Sequence, residues 1–427
     1  MNILIVGGGG REHALAWKIK QSPLCDKLYI APGNAGTSAV AENVSIAASD
    51  FETLGRFCVD NQVALVVVGP EAPLVDGIRE YFEGDSKLQA IRMVGPGRMG
   101  AQLEGSKDFS KQFMLKHGIP TARAKTFEEA DLKRAIDYLK TCSLPIVLKA
   151  DGLAAGKGVI ICQTLEEAET AMREMLEGKK FGAASAKVLV EEFLDGIELS
   201  VFVLTDGRHY AILPEAKDYK RIGEGDTGLN TGGMGAVSPV IFADEAFMQK
   251  VEAQVVKPTI DGLRTDQIDF KGFIFFGLIN VKGEPYVIEY NVRMGDPETQ
   301  AVLTRVKSDF VDLLVATAKG ELKGKPVLKD SDHAVTVVLA SGGYPGDFEK
   351  GKTIHGLKED ELIFHAGTKR SNGSVVTNGG RVLAVTGKGQ DLTSAIKDAY
   401  RIISGIEWDG LYFRKDIGQD LLKWRPA

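Results

Sequence analysis

Residues 286–300 read YVIEYNVRMGDPETQ, and this stretch predicts both a strand and a ligand site. The alternating pattern from Tyr286 to Tyr290 is typical of a β-strand, in which successive side chains point to opposite faces. Glu289 and Asn291 therefore project from the same face. Carboxylate and amide oxygens suit Mg²⁺, which keeps several waters and takes its remaining ligands from substrate phosphates. The sequence predicts a metal site at these two residues.

The residues that follow the strand carry the groups of an anion site. They include Arg293, Gly295, Asp296 and Glu298, and Pro297 is placed to start a helix. A helix N-terminus beside a metal and a guanidinium group attracts anions, because backbone N–H groups and positive charge converge there. The plain alternative is a solvated strand end without a ligand.

The bulk composition is that of an ordinary globular protein. The chain has 427 residues, a length typical of about three domains, with 44% hydrophobic residues and a net charge of -6. The sequence shows no basic block, and we expect neither a signal peptide nor a membrane-spanning segment. Its four cysteines lack C-x-x-C spacing and are expected to be reduced thiols. We expect a cytoplasmic protein that binds small molecules, with no nucleic-acid or membrane partner.

The first hundred residues alternate strands with helices. Apolar strands are predicted at 2–6, 27–30, 64–68 and 91–94. This alternation is typical of a doubly wound parallel sheet, in which ligands bind beyond the carboxyl ends of the strands. Each of the four strands is followed by a loop of glycine or proline, so we expect these loops to form one crevice.

A dinucleotide-binding fold is the obvious alternative for this crevice. The G-x-G-x-x-G pattern that begins at Gly7 has Glu12 in place of its third glycine, and the second strand ends in Ala31 and Pro32 instead of an acidic residue. A small molecule that carries phosphate is therefore favoured over NAD.

A second glycine loop follows the strand predicted at 145–149. Gly152 and Gly156 are too close together for a Walker A motif, and a strand follows the loop instead of a helix. Lys149 and Lys157 flank the loop, which suits a lid over a triphosphate. A hairpin with a mobile tip is the alternative.

The central part of the chain contains two further candidate segments. The strand at 187–194, followed by Glu198, can hold an adenine through its backbone, although such strands are common as plain structure. Residues 215–239 combine charges with six glycines between 223 and 235, which favours a loop that approaches a polar ligand closely. Beyond it, single helices are predicted at 244–263 and 310–319, and the last hundred residues predict a further α+β unit.

Six motifs, at 7–13, 32–36, 70–74, 218–221, 230–235 and 291–300, together resemble the glycinamide ribonucleotide synthetase family of the ATP-grasp superfamily. The resemblance extends over essentially the whole chain. It implies an α/β and α+β multidomain protein with an N-terminal doubly wound parallel sheet, a central ATP-grasp fold and a C-terminal small α+β domain. The expected boundaries are 1–101, 102–325 with a lid at about 121–194, and 326–427.

The resemblance also implies an activity in de novo purine biosynthesis. ATP would phosphorylate the carboxylate of glycine, and the amine of 5-phosphoribosylamine would then attack the glycyl phosphate to give glycinamide ribonucleotide, ADP and phosphate. ATP would be a co-substrate and Mg²⁺ or Mn²⁺ the cofactor. A monomer or weak dimer is expected.

The resemblance assigns roles to individual residues. Glu289 and Asn291 would hold the metal, and Arg293, Lys220 and Asp296 would act at the reacting groups. ATP would be bound by Lys107, Lys149, Gly156, Lys157, Glu191, Glu192, Phe193, Leu194 and Glu198. The other substrates would be bound by Gly9, Gly10, Gly33, Asn34, Glu71, Pro73, Leu74, Asp218, Lys220, Asp226, Asn230, Thr231, Gly232, Gly233, Met234, Gly235, Arg293, Gly295 and Asp296.

The sequence departs from the superfamily pattern on the strand before the metal pair. Many ATP-grasp enzymes carry another metal carboxylate there, whereas this chain has Phe275 and Phe276. Other function classes stay open at this point: a nicotinamide dehydrogenase, a non-catalytic nucleotide sensor, and another carboxylate-amine ligase or carboxylase. Substrate choice within the superfamily depends on loop geometry.

Overall fold

The structure, a computed structural model, describes residues 1–152, 158–178, 180 and 186–424. The four cysteines are free, as the sequence predicts. None of the helices within the described ranges has the length and apolar character required to span a bilayer.

The first hundred residues form a five-stranded parallel sheet in the order β3-β2-β1-β4-β5. Its elements are β1 (Asn2–Gly7), α1 (Gly10–Ile19), β2 (Lys27–Pro32), β3 (Glu42–Asn43), α2 (Phe51–Asp60), β4 (Val63–Val68), α3 (Glu71–Asp76), α4 (Ile78–Gly84), β5 (Arg92–Val94) and α5 (Arg98–Gly105). The predicted parallel sheet is confirmed.

The sheet is buried on both faces because its central strand sends alternate apolar side chains to opposite sides. Leu4 of β1 belongs to the same hydrophobic core as Leu54 of α2. Ile3 and Ile5 belong to a second core together with Leu15 of α1. Strands that are covered on both faces read as continuous apolar runs, which is the pattern seen in the sequence.

The next segment is a small α+β unit with its own hydrophobic core. Its sheet is antiparallel, in the order β6-β9-β7-β8. The elements from the connecting helix onward are α6 (Lys107–Lys116), β6 (Ala124–Glu128), α7 (Leu132–Leu139), β7 (Ile146–Ala150), β8 (Val159–Cys162), α8 (Leu165–Leu176) and β9 (Lys187–Glu192).

The central segment carries a second antiparallel sheet, β11-β10-β16-β17. Its elements are β10 (Ile197–Thr205), β11 (Tyr210–Ile212), β12 (Lys217–Asp218), β13 (Arg221–Gly223), β14 (Thr227–Asn230), β15 (Gly235–Ser238), α9 (Glu245–Val251), α10 (Lys257–Thr265), β16 (Gly272–Val281), β17 (Glu284–Asn291), α11 (Glu298–Thr304) and α12 (Phe310–Lys319). The predicted helix at 310–319 is confirmed.

The helix predicted at 244–263 is not one regular helix. A π-helical segment, Glu252–Val256, separates α9 from α10. Pro258 lies in the first turn of α10 and has no backbone N–H to donate to the preceding turn. The prediction of a single α-helix was therefore wrong at residues 252–256, because Pro258 cannot donate a backbone hydrogen bond to the turn before it.

The C-terminal segment contributes to a six-stranded sheet that also contains strands from the central segment. Its elements are β18 (His333–Ser341), β19 (Ile363–His365), β20 (Thr368–Ser371), β21 (Ser374–Thr377), β22 (Arg381–Gly389), α13 (Leu392–Ile403), β23 (Leu411–Tyr412) and α14 (Gln419–Lys423). The sheet runs β12-β15-β18-β22-β19, and β23 also pairs with β18. Because β12 and β15 flank the glycine-rich loop, the C-terminal segment fixes both ends of that loop.

The C-terminal segment also contacts the loops of the parallel sheet. The backbone N–H of His365 donates to His13 Nδ1 at 2.8 Å, and Asn34 Nδ2 donates to the His365 carbonyl at 2.7 Å. These contacts bring the segment beside the carboxyl ends of β1 and β2, where a ligand of such a sheet is expected.

Candidate active site

Glu289 and Asn291 stand at the carboxyl end of β17 and line a cavity of about 560 Å³. Asn291 is 8% exposed, and its Nδ2 has no hydrogen-bond partner among the described residues. A buried amide without a partner is costly unless a ligand uses it, since buried polar groups are normally hydrogen-bonded. The pair predicted from the strand alternation therefore faces a ligand-sized space.

The protein offers few other ligands for a metal at this position. Within the described ranges, no group of three or more His, Cys, Asp or Glu side chains is arranged to hold an ion. Phe275, which pairs with Asn291 across the sheet, lines the same cavity. One carboxylate and one amide suit an ion that takes its other ligands from water and phosphate.

Three buried charged residues form one wall of the cavity. Glu191 accepts Lys149 Nζ at 2.7 Å and Lys111 Nζ at 3.1 Å. All three residues are less than 7% exposed. Burial alone would raise the pKa of Glu191, but the two lysines hold that pKa below its ordinary value. Glu191 thus pairs with both ammonium groups, and Lys149 faces the cavity.

Glu191→Gln is expected to lower the free energy of unfolding by about 3–5 kcal/mol, because it leaves two buried lysines without their counter-charge. The adjacent residue provides a matched control. Glu192 pairs with Arg123, whose side chain is 88% exposed, so Glu192→Gln is expected to cost about 1 kcal/mol or less. Unfolding in urea measures the loss of free energy in both variants, provided that their m-values equal that of the wild type. Equal losses in the two variants would contradict the assignment.

Only some of the other residues predicted to bind ATP line the cavity. Lys107 lines the cavity, and its Nζ donates to the Gly152 carbonyl at 3.1 Å. Four residues do not line the cavity: Glu192, Phe193, Leu194 and Glu198. Gly156 and Lys157 lie outside the described residues, as does most of the glycine loop that Lys149 and Lys157 flank.

Arg293 also lines the cavity and is held by two carboxylates. Its Nη2 contacts Glu104 Oε1 at 2.6 Å, and its Nε contacts Glu71 Oε2 at 3.3 Å. Burial raises the pKa of Glu104 to about 7, although Arg293 opposes the shift. Glu104 Oε2 also accepts the Val292 N–H at 2.8 Å. The guanidinium group therefore has a fixed orientation toward the cavity.

Lys220 lies between carboxylates beside the glycine-rich loop. Its Nζ contacts Glu198 Oε2 at 2.8 Å and Asp218 Oδ1 at 3.4 Å. Desolvation alone would lower the pKa of Lys220, but Asp218, Glu198 and Glu289 raise it well above its ordinary value. Lys220 is therefore a permanent cation. Glu298 lies in the same part of the cavity.

A second cavity of about 400 Å³ lies between the parallel sheet and the C-terminal segment. Gly9, Gly33 and Asn34, all predicted to bind substrate, line it. The C-terminal segment adds Thr368 and Asn378. The two cavities share Asp296, Tyr344 and Arg381. They are therefore adjacent.

Glu12 occupies the position of the missing third glycine and is 2% exposed. Its carboxylate accepts the Gly9 N–H at 2.6 Å and Arg11 Nε at 2.7 Å. The Glu12 carboxylate thus occupies a backbone N–H group of the glycine loop, which in a dinucleotide fold would face the pyrophosphate. This geometry disfavours the NAD alternative.

The remaining predicted substrate residues fall into two groups. Glu71, Asp218, Thr231, Gly232 and Gly295 line the larger cavity. The others line neither cavity: Gly10, Pro73, Leu74, Asp226, Asn230, Gly233, Met234 and Gly235. Asp226 pairs with Arg414 at 2.7 Å, and Met234 is fully buried in the core.

Several residues of the two cavities were not predicted. Arg11, Glu104, Lys111, Tyr344 and Arg381 all line them. Arg11 follows the predicted glycine loop directly, so its position next to that loop was an available signal. Tyr344 and Arg381 come from the segment in which the sequence shows no dense cluster, and nothing local to them indicates a site.

Comparison with family models divides the chain into three parts. The N domain of phosphoribosylglycinamide synthetase matches residues 1–104, its ATP-grasp (A) domain matches residues 105–299, and its C domain matches residues 334–420. These matches confirm the predicted fold class, including the central ATP-grasp fold.

Individual relatives are similar in sequence to this chain over nearly its full length. Phosphoribosylamine--glycine ligase of Yersinia pestis is 49% identical over 426 residues, which is 98% of both chains. Its counterpart from Haemophilus influenzae is 47% identical over 425 residues, again 98% of each chain. The crystal structure of phosphoribosylamine--glycine ligase from Thermotoga maritima, 36% identical, covers 98% of this chain and 100% of that one with a TM-score of 0.85. The resemblance inferred from the motifs is confirmed, and the chain belongs to the phosphoribosylglycinamide synthetase family.

Proposed function

We propose that this protein ligates glycine to 5-phosphoribosylamine with ATP, through a glycyl phosphate, in de novo purine biosynthesis. The products are glycinamide ribonucleotide, ADP and phosphate. The observation that carries the proposal is the junction of the two cavities at Asp296 and Arg381, because a ligase must bring an activated carboxylate to an amine held in a neighbouring site. The names of the relatives support the same reaction.

The larger cavity is suited to the first step. A glycine carboxylate oxygen attacks the γ-phosphorus of ATP, and ADP leaves. A free carboxylate resists attack by amines because its leaving group would be oxide, whereas phosphorylation gives it a good leaving group. Lys149, Lys107, Lys220 and Arg293 surround this space with positive charge, which stabilises charge on the transferring phosphoryl group.

Glu289 and Asn291 fit a divalent cation, because the Glu289 carboxylate and the Asn291 side-chain carbonyl are oxygen ligands that line the cavity. We propose Mg²⁺ or Mn²⁺ as the cofactor. When bound, such an ion would supply positive charge beside the phosphate oxygens. The pair provides at most two ligands, so phosphate and water would complete the coordination.

The smaller cavity is suited to 5-phosphoribosylamine. Its glycine-lined loops come from the carboxyl ends of the parallel strands, where backbone N–H groups can approach a phosphate. In the second step the amine attacks the acyl carbon, phosphate leaves and the nitrogen loses a proton. Exclusion of water at the junction would protect the acyl phosphate from hydrolysis. We expect the enzyme to act in the cytoplasm as a monomer or weak dimer.

The experiment is a measurement of ADP release with glycine and chemically prepared 5-phosphoribosylamine, together and each alone. Turnover is expected only with both. Glycine labelled with ¹⁸O in its carboxylate is expected to transfer one labelled oxygen to the released phosphate, because that oxygen bridges carbon and phosphorus in the intermediate. ADP release that is independent of glycine would refute the proposed reaction, and unlabelled phosphate would refute the acyl phosphate.

A further inference from the structure

Tyr344 lies where the two cavities meet, and the scheme above gives it no role. It lines both cavities, as Asp296 and Arg381 do. The residue belongs to the turn that follows β18 in the C-terminal segment. It is half-buried, so it is packed on part of its surface and open on the rest. A phenol at this junction is therefore a candidate for contact with the reacting groups.

The Tyr344 ring is held by its own segment. The turn that carries it is tied to the chain before β22, because the Ser341 N–H donates to the Gly380 carbonyl at 2.8 Å. Gly380 leaves room for the ring, since a Cβ at that position would lie 2.3 Å from Tyr344 Cδ2. Phe348 packs edge to face on the ring, with 6.4 Å between the ring centroids. The C-terminal segment thus sets the direction of the phenol.

The Tyr344 hydroxyl accepts one hydrogen bond and has a proton available to donate. The Gly232 N–H donates to Tyr344 Oη at 3.0 Å. A phenol can donate as well as accept, and no acceptor for its proton is found in the part of the chain that the structure describes. Because the Gly232 contact fixes the phenol oxygen beside the larger cavity, the O–H group is free to donate to a ligand there.

The second step of the proposed reaction develops negative charge at this junction. The acyl phosphate forms in the larger cavity and the amine arrives from the smaller one, so the acyl carbon must lie between them when the new bond forms. As the nitrogen adds, the electron pair of the C=O bond moves to oxygen. The bond from carbon to the phosphate oxygen then breaks, and the departing phosphate takes a proton from the nitrogen. A fixed donor beside the carbonyl oxygen would stabilise this charge.

The other two residues shared by the cavities are less suited to that task. Burial alone would raise the pKa of Asp296, but Arg381 and Arg11 hold it below its ordinary value, so Asp296 is an anion. Arg381 uses its Nη1 for the carbonyls of Gly232 and Asp296. Its Nη2 lies 3.6 Å from the Asp296 carboxylate. Tyr344 is the uncharged donor among the three.

We infer that Tyr344 is a catalytic residue of the second step, in which its hydroxyl donates a hydrogen bond to the oxygen that becomes negative when the amine attacks. The inference rests on the proposed function, because it assigns a group to one step of that reaction. The Gly232 N–H already holds the phenol oxygen, so the donor is in place before the attack. The first step, in which glycine attacks ATP, does not use this donor.

The test follows the first turnover of Tyr344→Phe by rapid quench, with all three substrates at saturating concentrations. Formation of glycinamide ribonucleotide is expected to slow about 10²- to 10³-fold, as for removal of one donor to an oxyanion. ADP is expected to form at the wild-type rate, ahead of the product, because early turnovers separate the two chemical steps. A purely structural loss of the Gly232 contact would slow ADP formation as well, since Gly232 lines the cavity of the first step.

Tyr412→Phe is the matched control. Tyr412 also belongs to the C-terminal segment, and its hydroxyl donates to the Ile222 carbonyl at 2.7 Å, but it lines neither cavity. This variant is expected to form ADP and product at wild-type rates. If ADP and product form together in Tyr344→Phe, whether slowed or not, the inference alone is overturned. A wild type that releases ADP without glycine would overturn the proposed function as well.

Discussion

Glu289→Gln is expected to lower the rate of ADP release by about 10³-fold or more. Metal-assisted stabilisation of a transferring phosphoryl group is worth several kcal/mol, and about 1.4 kcal/mol corresponds to tenfold. Glu289 is the carboxylate of the proposed metal pair, and an amide in its place would bind a divalent cation weakly. The side chain makes no ion pair among the described residues, so the fold should tolerate the change.

The matched control for this prediction lies on the same strand. Glu284 begins β17, and its carboxylate contacts Lys250 at 2.5 Å on the surface. Glu284→Gln is expected to retain the wild-type rate. Steady-state assays at increasing Mg²⁺ concentration, with thermal unfolding as a check on folding, measure both variants. Wild-type turnover in Glu289→Gln at limiting Mg²⁺ would remove the metal assignment.

Local patterns were sufficient to predict the elements that carry their own signal. The alternation of apolar strands and helices in the first segment predicted a doubly wound parallel sheet, and the structure has a parallel sheet that is buried on both faces. The alternation at the end of β17 placed Glu289 and Asn291 together, and both line the cavity. Each of these inferences needs only the strand period and the residues next to it.

The residues that were missed depend on contacts between distant parts of the chain. Glu104 and Arg293 are 189 residues apart and meet at 2.6 Å. The six-stranded sheet joins β12 and β15 to β18, and no local pattern in β12 or β15 indicates that partner. Conversely, the glycine content of the loop predicted one continuous ligand-binding segment. In the structure, Asp226 at the tip of this loop pairs with Arg414. Glycine content alone does not distinguish the part of a loop that faces a ligand from the part that does not.

Arg381 makes contacts of this long-range kind at the junction of the two cavities. It begins β22 of the C-terminal segment. Its Nη1 donates to the Gly232 carbonyl at 2.7 Å and to the Asp296 carbonyl at 2.6 Å. One guanidinium group thus connects the glycine-rich loop to the loop after β17. Gly233 has a φ of +114°, and a Cβ there would lie 2.5 Å from Pro297 Cδ, so the two loops are in close contact at this point.

Arg381→Ala is therefore expected to lower kcat/KM for glycine and for 5-phosphoribosylamine by about 10²-fold, since a displacement of about 1 Å at reacting groups has this effect. The KM for ATP should change little, because Lys107, Lys149 and Glu191 lie on other elements. Arg381→Lys keeps the charge but cannot reach two carbonyls in one plane, so it should recover only part of the loss.

Arg401→Ala separates this positioning role from a general effect of losing an arginine in the C-terminal segment. Arg401 contacts Asp398 at 2.9 Å and Glu361 at 3.1 Å on the surface, and it lines neither cavity. Its replacement should leave all three Michaelis constants unchanged. If Arg381→Ala also behaved like the wild type, the two loops would hold their arrangement without the C-terminal segment. Loss of activity confined to 5-phosphoribosylamine would instead make Arg381 a ligand of that substrate and not a link between the loops.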